Sequence, residues 1–516
     1  MFARHRLEWV TAGVAAVLGV AYLLFPPLGS DLSAQVARAG FFADHGYTPI
    51  DLRWYAGVDQ LGYSLLSQPI MALLGVRLTG VLSLIASAAL LAVLFRRTRA
   101  ARPWLGALVG TACVAGNLVS GRITYALGVA LGLAALVALT SARWRRLAAP
   151  LSAVLAAAAS PVVGLFLGLI GVALLLAGRR RDGLLIAVPA AIPLAVMALL
   201  FGDGGWMNMS RTDAVRAVVA SLAVAALVPR RPVRIGAALS ATGVLIAALI
   251  HTPVGLNATR LSVMFTLPLL AAYASLPSPA WGQNRNIRIW ALVLLLAAAF
   301  WWQPPVVIGD VRDLGNPTAD RAYFGPLLAR LAQQNLTGRV EIPPTRDYWE
   351  AAYLDDVPLA RGWLRQADIA RNSLFFTEIP GARGTGVALT ADSYRTWLAD
   401  RAVQFVAVPD AELTWSGRPE AELVAAGLPY LTEVWHDAHW RLYAVADPQP
   451  IVAAPATLVA HDAAAVTFDA PAAGQVRLRV RHYRWLTATA GATVAADGEW
   501  TTVAVPAPGR YTLTSP

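Results

Sequence analysis

The sequence predicts a polytopic α-helical membrane domain of about eleven spans, followed by a soluble region that is first mixed α/β and then β-rich. Three observations carry this prediction. The 516-residue chain is 57% hydrophobic and 14% charged, with mean hydropathy +0.54, a composition typical of membrane proteins. Its arginines fall in short clusters between long apolar runs. From Gln303 onward the composition changes: acids and tyrosines enter, and no further run is long enough to cross a bilayer. The net charge of +11, carried on 42 basic residues with no lysine among them, would suggest nucleic acid in a soluble chain. Here it reads as a topology signal, and no nucleic-acid partner is expected.

The first apolar run, "LEWVTAGVAAVLGVAYLLF" (7–25), follows "RHR" (4–6) and has no small-residue cleavage site, so it reads as a retained anchor. Further runs begin near Val76, Trp104, Ile123, Leu147, Pro161, Leu184, Ala214, Ile235, Leu261 and Ile287. The clusters "RHR", "RRTRAAR" (96–102), "RWRR" (143–146), "RRR" (179–181), "RRPVR" (230–234) and "RNIR" (285–288) share one side only if 147–177 crosses twice and turns at Ala159–Pro161. With that turn the N-terminus is cytoplasmic, and residues 304–516 are extracytoplasmic on a multi-pass bacterial plasma-membrane protein. The transmembrane domain then covers 1–303, with loops near 26–75, 117–122, 159–161, 202–213 and 251–260 on the outer face.

Residues 304–450 alternate helix-like stretches such as "GPLLARLAQQNL" with strand-like ones such as "AVQFVAVPD", predicting an α/β unit. In 451–516, "AAVTFDAP", "QVRLRVRHYRW", "ATVAADG" and "WTTVAVPAPGRYTLT" predict the short strands of a small β-sandwich.

The candidate chemistry concentrates in the first outer loop. "PPLGSDLSAQVARAGFFADHG" (26–46) predicts an amphipathic helix at the membrane surface, with Ser30 as N-cap and Asp31 in the first turn, where helix-terminal amides favour a carboxylate. "PIDLRWYAGVDQLGYS" then crowds Asp51, Arg53, Trp54, Tyr55 and Asp59 into a short stretch. Arginine suits phosphate, aromatic faces suit sugar rings and carboxylates accept protons from hydroxyls, although Trp54 and Tyr55 equally suit an interfacial belt. Arg122 and Arg260, with Asn257, stand at the outer ends of other spans, where they suit either a lipid phosphate or headgroups. In the soluble region Glu341, Arg346, Asp347, Trp349, Arg361, Trp363 and Arg365 suit carbohydrate recognition or a salt-bridged seam onto the membrane half. Cys113 alone makes neither a disulfide nor a metal site, no zinc-type ligand spacing occurs, and no phosphate-binding glycine loop or organic-cofactor motif is present.

An N-terminal span, an outer loop opening on an acid, many further spans and a terminal soluble region together resemble the GT-C superfamily of polytopic glycosyltransferases. In detail, "PPLGSDLSAQVARAGFFADHG", "GYSLLSQPIMALLG", "VGLNATRL" and "ARGWLRQAD" are similar to actinobacterial membrane proteins related to the so-called 6-pyruvoyl-tetrahydropterin-synthase-related family. The superfamily resemblance implies an inverting transfer of sugar from a polyprenyl-phosphate donor to a cell-envelope glycan or glycolipid. In it Asp31 would be the general base, with Asp51 and Asp59 as alternatives, and Arg38, Arg53, Arg122 or Arg260 would hold the donor phosphate. Many members carry two adjacent acids where this chain has Ser30–Asp31, which leaves open whether a divalent cation such as Mg or Mn takes part. Polar residues at the outer edges, with no internal repeat, favour the enzyme over a flippase for a lipid-linked saccharide or a non-catalytic envelope-assembly factor.

Overall fold

In the computed structural model, residues 5–275 and 285–516 are described. The helices of the first half are α1 Arg6–Leu24, α2 Leu32–His45, α3 Ser67–Leu74, α4 Val76–Arg97, α5 Pro103–Val119, α6 Ile123–Leu139, α7 Ala148–Ala159, α8 Pro161–Leu176, α9 Arg180–Leu200, α10 Arg211–Leu227, α11 Arg231–Leu249, α12 Arg260–Tyr273 and α13 Arg285–Trp302. Each apolar run read from the sequence is a helix. Among the described residues, four of them (α1, α4, α9 and α11) are long and apolar enough to cross a membrane by length and composition. The others are shorter than the expected spans, α7 having only 12 residues. The turn between α7 and α8 falls at Ser160, whose extended backbone (φ −149°, ψ 112°) precedes Pro161 at the first position of α8. Small residues let the helices close on one another. A Cβ on Gly183 would lie 2.5 Å from the Gly171 carbonyl oxygen, so α8 and α9 meet almost backbone to backbone.

The arginine clusters gather at one end of this bundle. Arg96 pairs with Glu8 at 2.6 Å, Arg97 donates to Thr140, Arg145 faces Asp182, and Arg230 caps the Thr98 and Arg99 carbonyls. Arg4 lies outside the described residues, and so does the side chain of Arg285. The opposite end carries the soluble region.

That region begins with α14 Ile308–Arg312 and α15 Gly325–Leu331, followed by α16 Glu350–Tyr353, α17 Arg365–Arg371, α18 Ala391–Asp400 and α19 Arg418–Ala425. After a two-stranded ribbon in the first loop, β1 Ile50–Asp51 and β2 Val58–Asp59, come β3 Arg339–Glu341, β4 Val403–Pro409, β5 Leu431–His436 and β6 Trp440–Val445, a sheet ordered β3-β4-β6-β5 whose only parallel pair is β3 with β4. The tail supplies β7 Thr457–His461, β8 Ala465–Ala470, β9 Gly474–Arg481, β10 Thr487–Ala488, β11 Thr493–Asp497, β12 Trp500–Val505 and β13 Gly509–Thr514. They form two antiparallel sheets, β10-β13-β8-β7 and β11-β12-β9. Val466, Phe468, Leu478, Val480, Val503 and Leu513 fill one core with Ile50 and Leu52 of the first loop. The Ile50 N–H donates to Ser515 Oγ (3.2 Å) and the Leu52 N–H to the Ala463 carbonyl (2.8 Å), locking that loop into the C-terminal strands.

Helix α2 departs from the expected amphipathic surface helix. Leu32, Ser33, Ala34, Gln35, Ala37, Arg38, Ala39 and Phe41 are all buried, because the helix lies between the apolar helix bundle and α16. The N-cap is also displaced: Asp31, not Ser30, occupies that position, and its side chain makes no capping bond.

Candidate functional site

The segment after α1 is docked against the α5–α6 turn by two glycines. Gly29 (φ +108°) would place a Cβ 2.4 Å from the Ser120 backbone, and Gly121 (φ +69°) would place one 2.5 Å from Leu32. Neither position accepts a side chain without displacing the neighbouring backbone. This contact lets the Asp31 N–H donate to the Ser120 carbonyl at 3.1 Å and puts the Asp31 carboxylate beside the residue that opens α6. Asp31 Oδ2 receives Arg260 Nη2 at 3.0 Å and stands 3.3 Å from Arg122 Nε. One carboxylate thus faces two guanidinium groups brought from two other loops, with all three side chains largely enclosed. Asn117 donates to the Arg122 carbonyl (3.2 Å) and steadies the turn. Asn257 sits in the short helix that leads into Arg260 and donates to Met207 Sδ (3.3 Å), a positioning contact for that loop.

The surroundings supply donors in excess. The Arg260 guanidinium lies 5.4 Å over the Tyr125 ring, and the Tyr125 hydroxyl is buried without a hydrogen-bond partner among the described residues, while Arg122 Nε has the Asp31 ion pair alone. Trp363 Nε1 donates to the Ser30 carbonyl at 3.0 Å and meets Tyr63 edge-on at 5.9 Å; Gln35 in turn donates to the Tyr63 hydroxyl at 2.7 Å. A second acid arrives unannounced by the sequence reading: Asp310, on α14. Its carboxyl lies against the Ser120 and Ser30 hydroxyls, and burial pushes its pKa up, aided by Asp31 and opposed by Arg122 and the two hydroxyls. The only signal was an acid in "VVIGD", just after the last apolar run. Arg346 fixes α14 through the Gly309 carbonyl (2.9 Å), Asp313 (3.3 Å) and Glu412 (2.6 Å), which makes it a positioning residue for Asp310. Asp347 receives the Ser33 hydroxyl on its backbone carbonyl (2.5 Å), and burial together with Asp313 raises its carboxyl pKa.

The remaining predicted residues lie elsewhere. Asp51 is fully buried and bound by Arg53 (2.7 and 3.0 Å) and Gln60 (2.7 Å), while Arg53 also donates to the Ala37 carbonyl (3.1 Å); the pair is spent on itself. Arg38 is fully enclosed, donates to Gln60 (2.8 Å) and lies 4.3 Å over the Tyr63 ring, with burial lowering its pKa. Enclosure leaves neither arginine able to meet a lipid phosphate. Trp54 and Trp349 are fully buried, and Tyr55 nearly so, with its hydroxyl donated to the Gly362 carbonyl. These aromatics hold the first loop to the soluble region and offer no face to a sugar. Arg361 is buried among Asp368 (2.8 Å), Glu420 (2.9 Å) and Glu341 (3.9 Å). Burial opposes its charge and the three acids restore it, while burial and Glu420 drive Glu341 strongly upward. That cluster is a core tie and not a ligand surface. Arg365 opens α17, half-buried, two residues beyond Trp363. Asp59 lies away from Asp31 beside Asp203, whose carboxylate accepts the Asp59 N–H at 2.9 Å.

A divalent cation does not fit these donors. Asp31 is engaged by two cationic side chains, and among the described residues no group of three or more His, Cys, Asp or Glu could hold a metal.

No family model matches this chain, and no curated protein matches it. Among solved structures, it is similar to the cryo-EM structure of arabinofuranosyltransferase AftD from Mycobacteria, with TM-score 0.48 and 18% identity over 91% of this chain. It is also similar to the crystal structure of ArnT from Cupriavidus metallidurans in the apo state, with TM-score 0.43 and 13% identity over 85% of this chain and 98% of the other. The chain spans 41% of the length of the AftD structure.

Proposed function

We propose that this protein is a membrane glycosyltransferase of the GT-C type that takes its sugar from a polyprenyl-phosphate donor and passes it to a cell-envelope glycan or glycolipid at the outer face of the plasma membrane. The observation that carries the reading is the convergence of Arg122, Arg260 and the Tyr125 hydroxyl around the Asp31 carboxylate. That arrangement presents two guanidinium groups and an unpartnered hydroxyl to an anion with several acceptor oxygens, which is what a phosphate offers. An apolar groove of about 220 Å³, lined by Leu165, Phe166, Leu169, Val244 and Ile246, adjoins it: the Phe166 ring meets Tyr125 edge-on at 6.4 Å. An isoprenoid tail suits such walls. The membrane part is 1–303 with a cytoplasmic N-terminus, and the 304–450 and 451–516 regions stand outside.

In the reaction the two arginines leave Asp31 for the incoming phosphate. The freed carboxylate takes the proton of the acceptor hydroxyl as that oxygen attacks the anomeric carbon from the face opposite the phosphate. The bond from that carbon to the phosphate oxygen breaks, its electron pair stays on the departing phosphate, and Arg122 and Arg260 offset the charge. Inversion at the anomeric carbon follows. The test is transfer from a panel of polyprenyl-phosphate sugars by membranes carrying the wild-type chain, Asp31→Asn or Arg260→Gln. Loss of product in both variants at equal expression is expected. Full transfer by Asp31→Asn sinks the base role of Asp31, no transfer by the wild type sinks the transferase reading, and movement of the lipid-linked sugar across the bilayer without product turns it to transport.

A further inference from the structure

A second polar site lies on the other side of the Arg38–Tyr63 wall from Asp31. There the end of α9 meets the strand-β9 exit of the C-terminal region, enclosing a cleft of about 370 Å³ lined by Asp59, Gly202, His482, Tyr483, Arg484 and Trp485. Its walls are braced from three parts of the chain. Arg371 pairs with Asp203 (2.8 Å) and donates to the Gly57 carbonyl (2.8 Å), and the Tyr483 hydroxyl donates to Asp203 (2.7 Å). Trp485 stacks on Phe201 at 5.3 Å and donates to the Leu200 carbonyl (3.3 Å), while Arg484 donates to the Leu199 carbonyl (3.3 Å). One polar group in this scaffold is left over: Asp59 is 3% exposed, lines the cleft, and its Oδ1 is buried with no partner among the described residues.

We propose that this cleft is a saccharide-binding subsite, taking a hydroxyl-rich glycan segment through Asp59, Arg484 and the ring of Trp485. Identifying that segment as the acceptor strand rests on the transferase reading above. The chemistry favours hydroxyls over an anion. Arg371 is consumed by Asp203, so Arg484 is the one cationic side chain on the lining, and burial beside Asp203 raises the Asp59 pKa to about 8. A carboxyl that keeps its proton near neutrality both donates to and accepts from sugar hydroxyls. The half-buried Trp485 supplies an aromatic surface for a sugar ring's C–H face.

The test uses the full chain in nanodiscs and a panel of free pentose and hexose oligosaccharides, read by saturation-transfer NMR and titration, with glycerol 1-phosphate as a separate headgroup probe. Binding of at least one oligosaccharide is expected, weakened about tenfold or more in Trp485→Ala and in Asp59→Ala, the size of a lost buried polar or stacking contact. Asp59→Asn, which preserves the shape, and an unchanged elution profile for Trp485→Ala guard against misfolding as the cause. No oligosaccharide bound by the wild type, equal affinity in the variants, or binding of glycerol 1-phosphate alone each overturns the proposal. Asp31→Asn separates the two readings. Loss of transfer with oligosaccharide binding retained supports both, retained transfer removes only the base role of Asp31, and no transfer by the wild type removes the transferase reading and leaves the binding assay to judge the cleft by itself.

Discussion

Replacing Asp31 with Asn removes one negative charge and almost no volume, and the structure says what each loss does. The side chain makes no capping bond to α2, so the helix start loses nothing at the backbone. Arg122 and Arg260, at 3.3 and 3.0 Å, lose their shared counter-charge. Breaking a fully buried pair from one side costs about 3–5 kcal/mol; the three side chains here are 14% to 18% exposed, so solvent recovers part of it and a loss of about 2 kcal/mol is expected. The donor phosphate supplies the missing negative charge, so donor affinity holds or tightens. In the proposed reaction this substitution removes the general base, which lowers kcat by about 10²- to 10⁴-fold. The assay is steady-state transfer with purified chain and a polyprenyl-phosphate sugar, alongside thermal unfolding with and without donor. The expected pattern is a collapsed kcat, an unchanged or lower donor KM, and a lowered unfolding temperature that donor restores. A kcat within about threefold of wild type, or a raised KM with kcat intact, refutes the base role.

Gly121→Ala puts a Cβ against Leu32 at a left-handed backbone position, and a destabilisation of about 1–3 kcal/mol with loss of transfer is expected, read by unfolding temperature and product formation. Arg361→Met leaves Glu341, Glu420 and Asp368 without their cation; the soluble region should lose about 3–5 kcal/mol in denaturant unfolding, while the kcat of the folded fraction stays unchanged. Asp59 has a folded pKa raised from 3.8 to about 8, so the folded state holds its proton where the unfolded chain releases it, and stability falls as pH rises from about 4 through about 8. Asp59→Asn should flatten that part of the unfolding-temperature profile, and an unchanged slope would show that another group sets it. Arg38→Met should impair folding and leave the donor KM of whatever folds unaltered, since Arg38 is enclosed against Gln60 and Tyr63.

The apolar runs were readable because a helix in lipid needs only length and apolarity: runs starting near Val76, Ile123, Pro161 and Ile287 are all helices. Strands β8, β9, β12 and β13 were readable from their punctuation by Gly, Pro and Asp. Asp31 stood out because it opens an outer loop. Which arginines serve it was not readable, since Arg38 and Arg53 lie nearer in sequence than Arg122 and Arg260 and all four carry the same charge. Only packing separates them: Arg38 lies on the buried side of α2 and Arg53 is tied to Asp51 and the Ala37 carbonyl, while Arg260 crosses 229 positions of sequence to reach Asp31. Asp310 escaped notice for the same reason, as its neighbours Ser30 and Ser120 are brought to it by folding alone.

Ile50 and Leu52 share a core with β8, β9, β12 and β13, and the Ile50 amide meets Ser515 across 465 positions. A growing chain therefore forms its first helices long before this loop has these strands to pack against. Closing so long a loop is a late and entropically costly event. The loop that carries α2, and with it Asp31, settles fully only once β13 has paired, so the site waits on a contact 465 positions away.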